Sequence, residues 1–237
     1  MTEIAPQFVE RVWGGRDLSP WFPAPPPPPN GLPYGEVWFT GESLLIKFLF
    51  PSEKLSVQVH PADDYAREHH GCPGKTEMWR IVRALPGAEI ALGFRESVSP
   101  EAARAAALDG SIMELLDWRK VAAGDSYLIP AGTVHAMGGG MVVAEIQQLS
   151  DVTYRLFDYG RGRELHIGHG FKVAHLAPYT AAGTRCAYFE TVEIEPGLLV
   201  EPRAHEDYLI GLATGRVHRL DRTVQACEPS LHTWVPA

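Results

Sequence analysis

Apolar residues occur along this chain in short runs that are bounded by glycine, proline and acidic residues. Between residues 44 and 148 these runs are Leu44–Phe50, Leu55–His60, Glu77–Arg83, Glu89–Gly93, Ser126–Pro130 and Met141–Gln148. Runs of this length, rich in β-branched and aromatic side chains, predict strands rather than helices. A second set of short strands is predicted between Ala187 and Val235.

One segment has the pattern of a helix. Ser99 and Pro100 are typical of an N-cap and a first-turn proline, and an alanine-rich run follows them. The pattern continues past Gly110 and predicts a helical insert over about residues 99–118. By contrast, the consecutive prolines Pro25–Pro29 exclude a helix or a central strand, so a surface loop is predicted over 23–33.

Composition narrows the class of protein. The 237 residues include 23 glycines and 20 prolines, which argues against an all-helical bundle. The net charge of −8 gives no support to nucleic acid or an anionic membrane as partner. The three cysteines form no C-x-x-C pair, so neither a zinc ribbon nor a disulfide framework is expected. With neither a signal peptide nor an apolar run of about 18 residues, we expect a cytoplasmic protein.

The strongest local pattern is Gly124-x5-Pro130-x-Gly132-x2-His135. A turn glycine precedes a strand, and the Pro–Gly bend at the end of that strand aims His135 into the mouth of a barrel. This pattern resembles the second motif of the cupin superfamily.

A fainter repeat links the two halves of the chain, since the segment 123–131 is echoed by 226–237. We therefore expect a mainly β fold of two cupin-type double-stranded β-helix (jelly-roll) barrels with a small helical insert. The first barrel, 1–175, would carry the metal and the active site. The second, 176–237, would lack metal ligands.

Candidate metal ligands come from three predicted strands. Gln58 and His60 are two residues apart on one strand and therefore share a face. Glu77 begins the next strand, and His135 arrives from a later one. Two imidazoles with one carboxylate are typical of catalytic zinc, and such an ion can still polarise a bound oxygen. The same donors could hold Fe(II).

Several longer segments resemble the type I phosphomannose isomerases in their short bacterial form. They are Leu55–Pro61, Gly74–Trp79, Pro130–His135 and Ala144–Arg161, with Trp13–Gly15 and Gly35–Trp38 upstream. The resemblance extends over about residues 8–175 and continues beyond that only as a generic second cupin barrel.

The resemblance implies one zinc ion per chain and reversible interconversion of mannose 6-phosphate and fructose 6-phosphate. It implies Gln58, His60, Glu77 and His135 as zinc ligands. It also implies catalytic roles for Arg155, Glu145 and Lys75, of which Arg155 and Lys75 would also contact the substrate. Just after Arg155, the basic residues Arg161 and Arg163 could reach the phosphate, and Arg161 is the stronger prediction.

This reaction removes a proton beside a carbonyl and passes through an enediol-like species, so it needs a base and a group that stabilises charge on oxygen. Arg155 and Lys75 are cationic donors, whereas Glu145, a histidine and a metal-bound water remain alternatives for the base. Two other functions stay open: a sugar-binding or regulatory cupin without turnover, and an Fe(II) cupin oxygenase.

Two further sets of residues are predicted to lie outside this site. His166, His169 and His175 lack a carboxylate or cysteine at a useful spacing and are predicted to be surface histidines. Trp79 is predicted to pack in the core rather than to line the pocket.

Overall fold

The computed structural model describes residues 1–236. The strands of the first part are β1 Thr2–Glu3, β2 Gln7–Gly15, β3 Tyr34–Thr40, β4 Leu44–Leu49, β5 Val57–Val59, β6 Glu77–Ala84, β7 Glu89–Phe94, β8 Leu116–Lys120, β9 Ser126–Ile129, β10 His135–Met137, β11 Met141–Gln148 and β12 Tyr154–Phe157. Those of the second part are β13 Glu190–Ile194, β14 Leu199–Val200, β15 Asp207–Gly211, β16 Val217–Arg219, β17 Val224–Gln225 and β18 Ser230–Trp234. The helices are α1 Asp63–His70, α2 Pro100–Asp109, α3 Ile112–Leu115 and α4 Ile167–Val173. Within 1–236, none of these helices has the length and apolar character that a membrane span requires.

Two antiparallel sheets build the first barrel. Their strand orders are β2-β3-β4-β11-β6-β9 and β12-β5-β10-β7-β8. Consecutive strands cross between the sheets, as from β4 to β5 and from β10 to β11. Apolar side chains from both sheets, among them Leu49, Ile81, Leu92 and Met137, form one buried cluster. The predicted mainly β fold is thus confirmed, and all six strands predicted between residues 44 and 148 are present.

The helical insert covers the outer face of the five-stranded sheet. Ala103, Ala107 and Ile112 are buried there against Phe94 and Leu156. Ser99 caps α2 as predicted, since its side chain accepts a hydrogen bond from the N–H of Ala102.

The predicted extent of this insert is wrong at its C-terminal end. The second helix of the insert, α3, ends at Leu115. The next five residues, Leu116–Lys120, form β8, which pairs with β7. Pairing with β7 satisfies the backbone groups on one side of this segment, and Leu116 is completely buried. Tertiary pairing therefore overrides the helical pattern here.

Two helices were not predicted. The segment that contains Asp63 and Asp64 forms α1, with those two carboxylates in its first turn and Gly71 at its C-cap. The φ of Gly71 is 66°, a left-handed conformation that favours glycine. The other missed helix is α4.

The second sheet system is joined closely to the first barrel. Its sheet order is β1-β16-β15-β18-β13, beside the two-stranded ribbon β14-β17. The strand at the start of the chain, β1, thus pairs with β16 near residue 218. Tyr208 and Leu231 pack in the same core as Phe39 and Phe48. The division at residue 175 remains a prediction, and the last residue of the predicted repeat, Ala237, lies outside the described residues.

Glu206 connects the two parts. Its buried carboxylate accepts hydrogen bonds from the N–H groups of Glu42, Ser43 and Leu44 at 3.0, 2.9 and 3.1 Å. It also accepts one from the hydroxyl of Tyr208 at 2.8 Å. Burial alone would raise the pKa of Glu206, but the hydrogen bonds from Ser43 and Tyr208 outweigh burial and lower it.

We expect Glu206→Ala to lower the free energy of unfolding by about 3 kcal/mol, because three backbone donors lose a charged acceptor. Urea unfolding at pH 7 measures this loss, and Glu195→Ala, at the exposed position directly after β13, is the control. Because the folded-state pKa is depressed, the advantage of the native protein over Glu206→Gln should be full at neutral pH and vanish as the pH falls below about 4.5. An advantage independent of pH would contradict the assignment.

Candidate metal centre and its cavity

Three side chains converge where the two sheets of the first barrel face each other. His60 follows β5, His135 begins the neighbouring strand β10, and Glu77 begins β6 in the opposite sheet. Their exposed fractions are 1%, 1% and 0%. The candidate ligand atoms lie within 4.8 Å of one another, and within residues 1–236 this is the one such group of His, Cys, Asp and Glu.

The hydrogen bonds of the two histidines fix their tautomers. Nδ1 of His60 bonds the carbonyl of Val152, and Nδ1 of His135 bonds the carbonyl of Thr133, both at 2.9 Å. A carbonyl only accepts, so each Nδ1 carries a proton and each Nε2 keeps its lone pair. Burial lowers the pKa of both imidazoles, that of His135 to about 4. Both rings are therefore neutral at pH 7, as metal-binding histidines must be.

Glu77 completes the donor set. Its two oxygens lie 3.6 Å from Nε2 of His60 and 3.5 Å from Nε2 of His135. Oε1 is buried and, within the described residues, accepts no hydrogen bond. The ammonium of Lys75 donates to Oε2 at 2.6 Å and to Nε2 of His60 at 3.0 Å. Two neutral imidazole nitrogens and a carboxylate with one oxygen that accepts no hydrogen bond make a donor set that fits a divalent ion such as zinc.

Gln58 lies in the same cluster. Its amide nitrogen is 3.2 Å from Nε2 of His135, and its amide oxygen accepts a hydrogen bond from Ser56. The structure thus places Gln58 beside the triad, while its role as an oxygen ligand stays a prediction.

A cavity of about 320 Å³ opens beside this cluster. Among the residues predicted for the site, Gln58, Lys75, Glu145 and Arg155 line it. Trp79 also lines it, although it was predicted to pack only in the core. Trp79 is buried, and its indole N–H donates to Glu145 at 2.8 Å.

The protonation of Lys75 and Glu145, which line the cavity, depends on the charged groups around them. Burial alone would lower the pKa of Lys75, but the carboxylates of Glu77 and Glu145 outweigh burial and raise it, so the ammonium stays charged. Burial, together with the charge of Glu77, raises the pKa of Glu145. A protonated amine and a carboxyl group with a raised pKa therefore face the same space.

Four charged residues of this cavity were missed in the sequence: Arg11, Glu36, Lys47 and Asp151. The guanidinium of Arg11 pairs with Glu36 at 3.0 Å, and the ammonium of Lys47 lies 3.9 Å from Glu36 and 3.5 Å from Glu145. Lys47 is almost fully buried in the otherwise apolar strand β4. A lysine in such a strand needs a buried partner, and that signal was available in the sequence.

Arg155 lies on β12, the edge strand of the five-stranded sheet, and lines the cavity from there. Its guanidinium donates to the carbonyl of Glu164 at 2.8 Å, while its Nε, within residues 1–236, is buried without a hydrogen-bond partner. Burial and the nearby charge of Arg163 lower the pKa of Arg155. This guanidinium therefore keeps donor capacity beside the cavity.

Arg161 is placed differently from the other predicted residues. It does not line the cavity, and its guanidinium bonds the carbonyl of Lys54 and the carboxylate of Glu53 at 2.8 and 2.9 Å. The arginine of this loop that does line the cavity is Arg163, which also pairs with Asp158. Substrate contact by Arg161 stays a prediction.

Comparison with known proteins places this arrangement in a family. No protein-family model matches the chain. The mannose-6-phosphate isomerase of Streptococcus mutans is 45% identical in a match that covers 55% of this chain and 43% of that protein. Bacillus subtilis YvyI, named as a proposed mannose-6-phosphate isomerase, is 34% identical in a match that covers 72% of this chain and 67% of that protein. The chain belongs to the mannose-6-phosphate isomerase family.

Solved structures of mannose-6-phosphate isomerases share the fold. The crystal structure of the Bacillus subtilis enzyme superposes with a TM-score of 0.75 at 25% identity and covers 98% of this chain and 92% of that one. A mannose 6-phosphate isomerase crystallised with zinc and yttrium has a TM-score of 0.70 at 13% identity, over 99% of both chains, and shows the fold alone. The chain spans less than half the length of the first curated relatives that it matches, 43% and 46%.

We expect Lys47→Met to lower the free energy of unfolding by about 3–5 kcal/mol at pH 7, because buried carboxylates lose their cation. Lys172→Met, at an exposed position, is the control for urea unfolding. The pKa of Glu36 is lowered by Lys47 and Arg11, whose charges outweigh burial, so the deficit should shrink as the pH falls below about 4.5. Adding Glu36→Gln should also recover part of the loss, and a strictly additive double variant would contradict the pairing.

Proposed function

We propose that this chain is a zinc-dependent aldose–ketose isomerase that interconverts mannose 6-phosphate and fructose 6-phosphate through an enediol-like intermediate. The observation that carries the proposal is the position of the His60–Glu77–His135 triad. It lies directly beside a cavity whose walls hold Lys75, Glu145 and Arg155. Family membership supports the same reaction.

Glu145 and Lys75 have different tasks in this proposal: one transfers the proton, and the other stabilises negative charge on oxygen. The reaction moves a proton between two adjacent carbons, and a carboxylate whose pKa is raised by burial can accept that proton and return it. Glu145 has this property and faces the cavity. Lys75, held in its charged form, donates hydrogen bonds to a sugar oxygen as negative charge develops.

A bound zinc ion would supply Lewis-acid polarisation of the sugar oxygens. Gln58, His60, Glu77 and His135 would hold it. The donor set supports zinc, because both imidazoles are neutral and carry their proton on Nδ1, so that Nε2 of each, beside the Glu77 carboxylate, is the nitrogen that can bind a metal.

The phosphate group needs cationic donors in the wall of the cavity. Arg155 offers a planar guanidinium with donor capacity left over, and Arg163 adds a second positive charge beside the cavity. Two neighbouring guanidiniums repel one another unless an anion lies between them, which suits a dianionic phosphate. Arg161 remains part of the proposal as a further contact, next to Arg163 in the loop.

The first test measures metal and activity together. The purified protein should contain one zinc per chain by mass spectrometry and should convert mannose 6-phosphate in an assay coupled to fructose 6-phosphate. Glu77→Gln and His135→Ala should lose the metal and at least about 10²-fold of kcat/KM, whereas the exposed Glu53→Gln should keep the metal.

Other outcomes would favour the alternative functions. Tight zinc binding without isomerisation would indicate a sugar-binding cupin, and bound iron with oxygen consumption would indicate an oxygenase. If Glu77→Gln retained both metal and activity, the ligand assignment would be wrong.

The second test separates substrate handling from metal binding. Arg155→Lys should keep the zinc content of the native protein, because Arg155 is not a ligand. It should lower kcat/KM about 10²-fold, because a point charge replaces a planar donor in the cavity. Arg185→Lys, at an exposed ion pair, is the matched control. Equal activity of the two variants would remove Arg155 from the reaction.

A further inference from the structure

At Arg155 the edge of strand β12 is completed by one residue, His166, rather than by another strand. In the sheet order β12-β5-β10-β7-β8, β12 has a neighbour on one side only. The N–H of Arg155 donates to Nδ1 of His166 at 3.0 Å, and the N–H of His166 donates to the carbonyl of Arg155 at 2.7 Å. A strand residue directs both backbone groups to the same side, so His166 satisfies the whole outward-facing backbone of Arg155.

His166 is itself held in place. It precedes α4, and its carbonyl accepts the N–H of Gly170 at 2.7 Å, which closes the first turn of that helix. The carbonyl of Glu164, two residues earlier, accepts from the guanidinium of Arg155 at 2.8 Å. The segment Glu164–His166 therefore holds both the main chain and the side chain of Arg155 against the cavity.

The ring chemistry agrees with this arrangement. Nδ1 faces an N–H donor, so it must carry the lone pair, and the proton of the neutral ring lies on Nε2. Burial and the charge of Arg155 lower the pKa of His166, which favours that neutral ring. The two metal-centre histidines carry their proton on Nδ1, so the two kinds of histidine in this barrel have opposite tautomers.

We propose that His166 is a positioning residue that fixes Arg155 at the cavity through a backbone hydrogen bond accepted by Nδ1. The role in turnover rests on the isomerase reaction proposed above. His166 was predicted to be a surface histidine without function; the structure instead places its ring, half-buried, on the backbone of a predicted catalytic residue. Neither the sequence resemblance nor the spacing of the histidines indicated this contact.

Three variants at this position and one control test the proposal on the full-length protein. His166→Ala and His166→Leu remove the acceptor, and the leucine keeps side-chain bulk. His166→Asn restores an acceptor, because its Oδ1 is separated from Cα by the same number of bonds as Nδ1 of histidine. The control is His169→Ala. The ring of His169 stacks on Tyr154 at 5.3 Å, next to Arg155 in the strand, but it makes no bond to the Arg155 backbone.

The first readout is the zinc content and the steady-state conversion of mannose 6-phosphate. His166→Ala and His166→Leu should lower kcat/KM about 10–100-fold with the zinc content of the native protein, since a small displacement of a substrate-contacting group is costly. His166→Asn should recover kcat/KM to within about threefold of the native value. His169→Ala should lower the unfolding midpoint and leave kcat/KM nearly unchanged.

The second readout is hydrogen exchange of the Arg155 amide, which does not depend on turnover. It should be slow in the native protein, His166→Asn and His169→Ala, and at least about tenfold faster in the alanine and leucine variants. An unchanged exchange rate in His166→Ala overturns the proposal whether or not the protein is an isomerase. Inactive native protein with the expected exchange pattern would overturn only the proposed function, and an asparagine variant as defective as alanine would overturn the positioning role.

Discussion

The burial of the Glu77 carboxylate between two sheets is the constraint on which the cavity depends. A carboxylate at zero exposure needs a cation, and the ammonium of Lys75 supplies one at 2.6 Å. That lysine is equally buried and is balanced in turn by Glu145, with Lys47 beyond it. Glu36 and Arg11 continue the alternation outward. The polar wall of the cavity is thus one series of compensating charges that runs from the candidate metal centre to the rim.

The fold could be predicted from the sequence wherever local pattern and tertiary pairing agree. Strand β11 was predicted to the residue because its apolar run is bounded by a Gly–Gly turn on one side and a polar segment on the other. Strand β8 could not be predicted, because its helical pattern is overridden by pairing with β7. The helix α1 was missed since its eight residues are mostly polar, and only the acidic first turn and Gly71 mark its ends.

The site was predictable to the extent that its residues belong to local motifs. His60, Glu77 and His135 come together because strand alternation and one Pro–Gly bend determine where each points. Lys47 and Glu36 join them through cross-strand neighbours, and the register that creates these contacts is a property of the sheet. The same limit applies to the arginines after β12: their spacing in sequence does not determine which of them faces the cavity, because the loop conformation decides it.

The pairing of β1 with β16 has a consequence for the order in which the molecule can assemble during synthesis. Thr2 and Glu3 leave the ribosome more than two hundred residues before their partners Arg219 and His218. The aromatic face of the six-stranded sheet, which includes Phe39 and Phe48, is likewise covered by Tyr208 and Leu231 only at that late stage. The nascent first barrel therefore exposes an apolar sheet face until the second part of the chain has been synthesised and covers it.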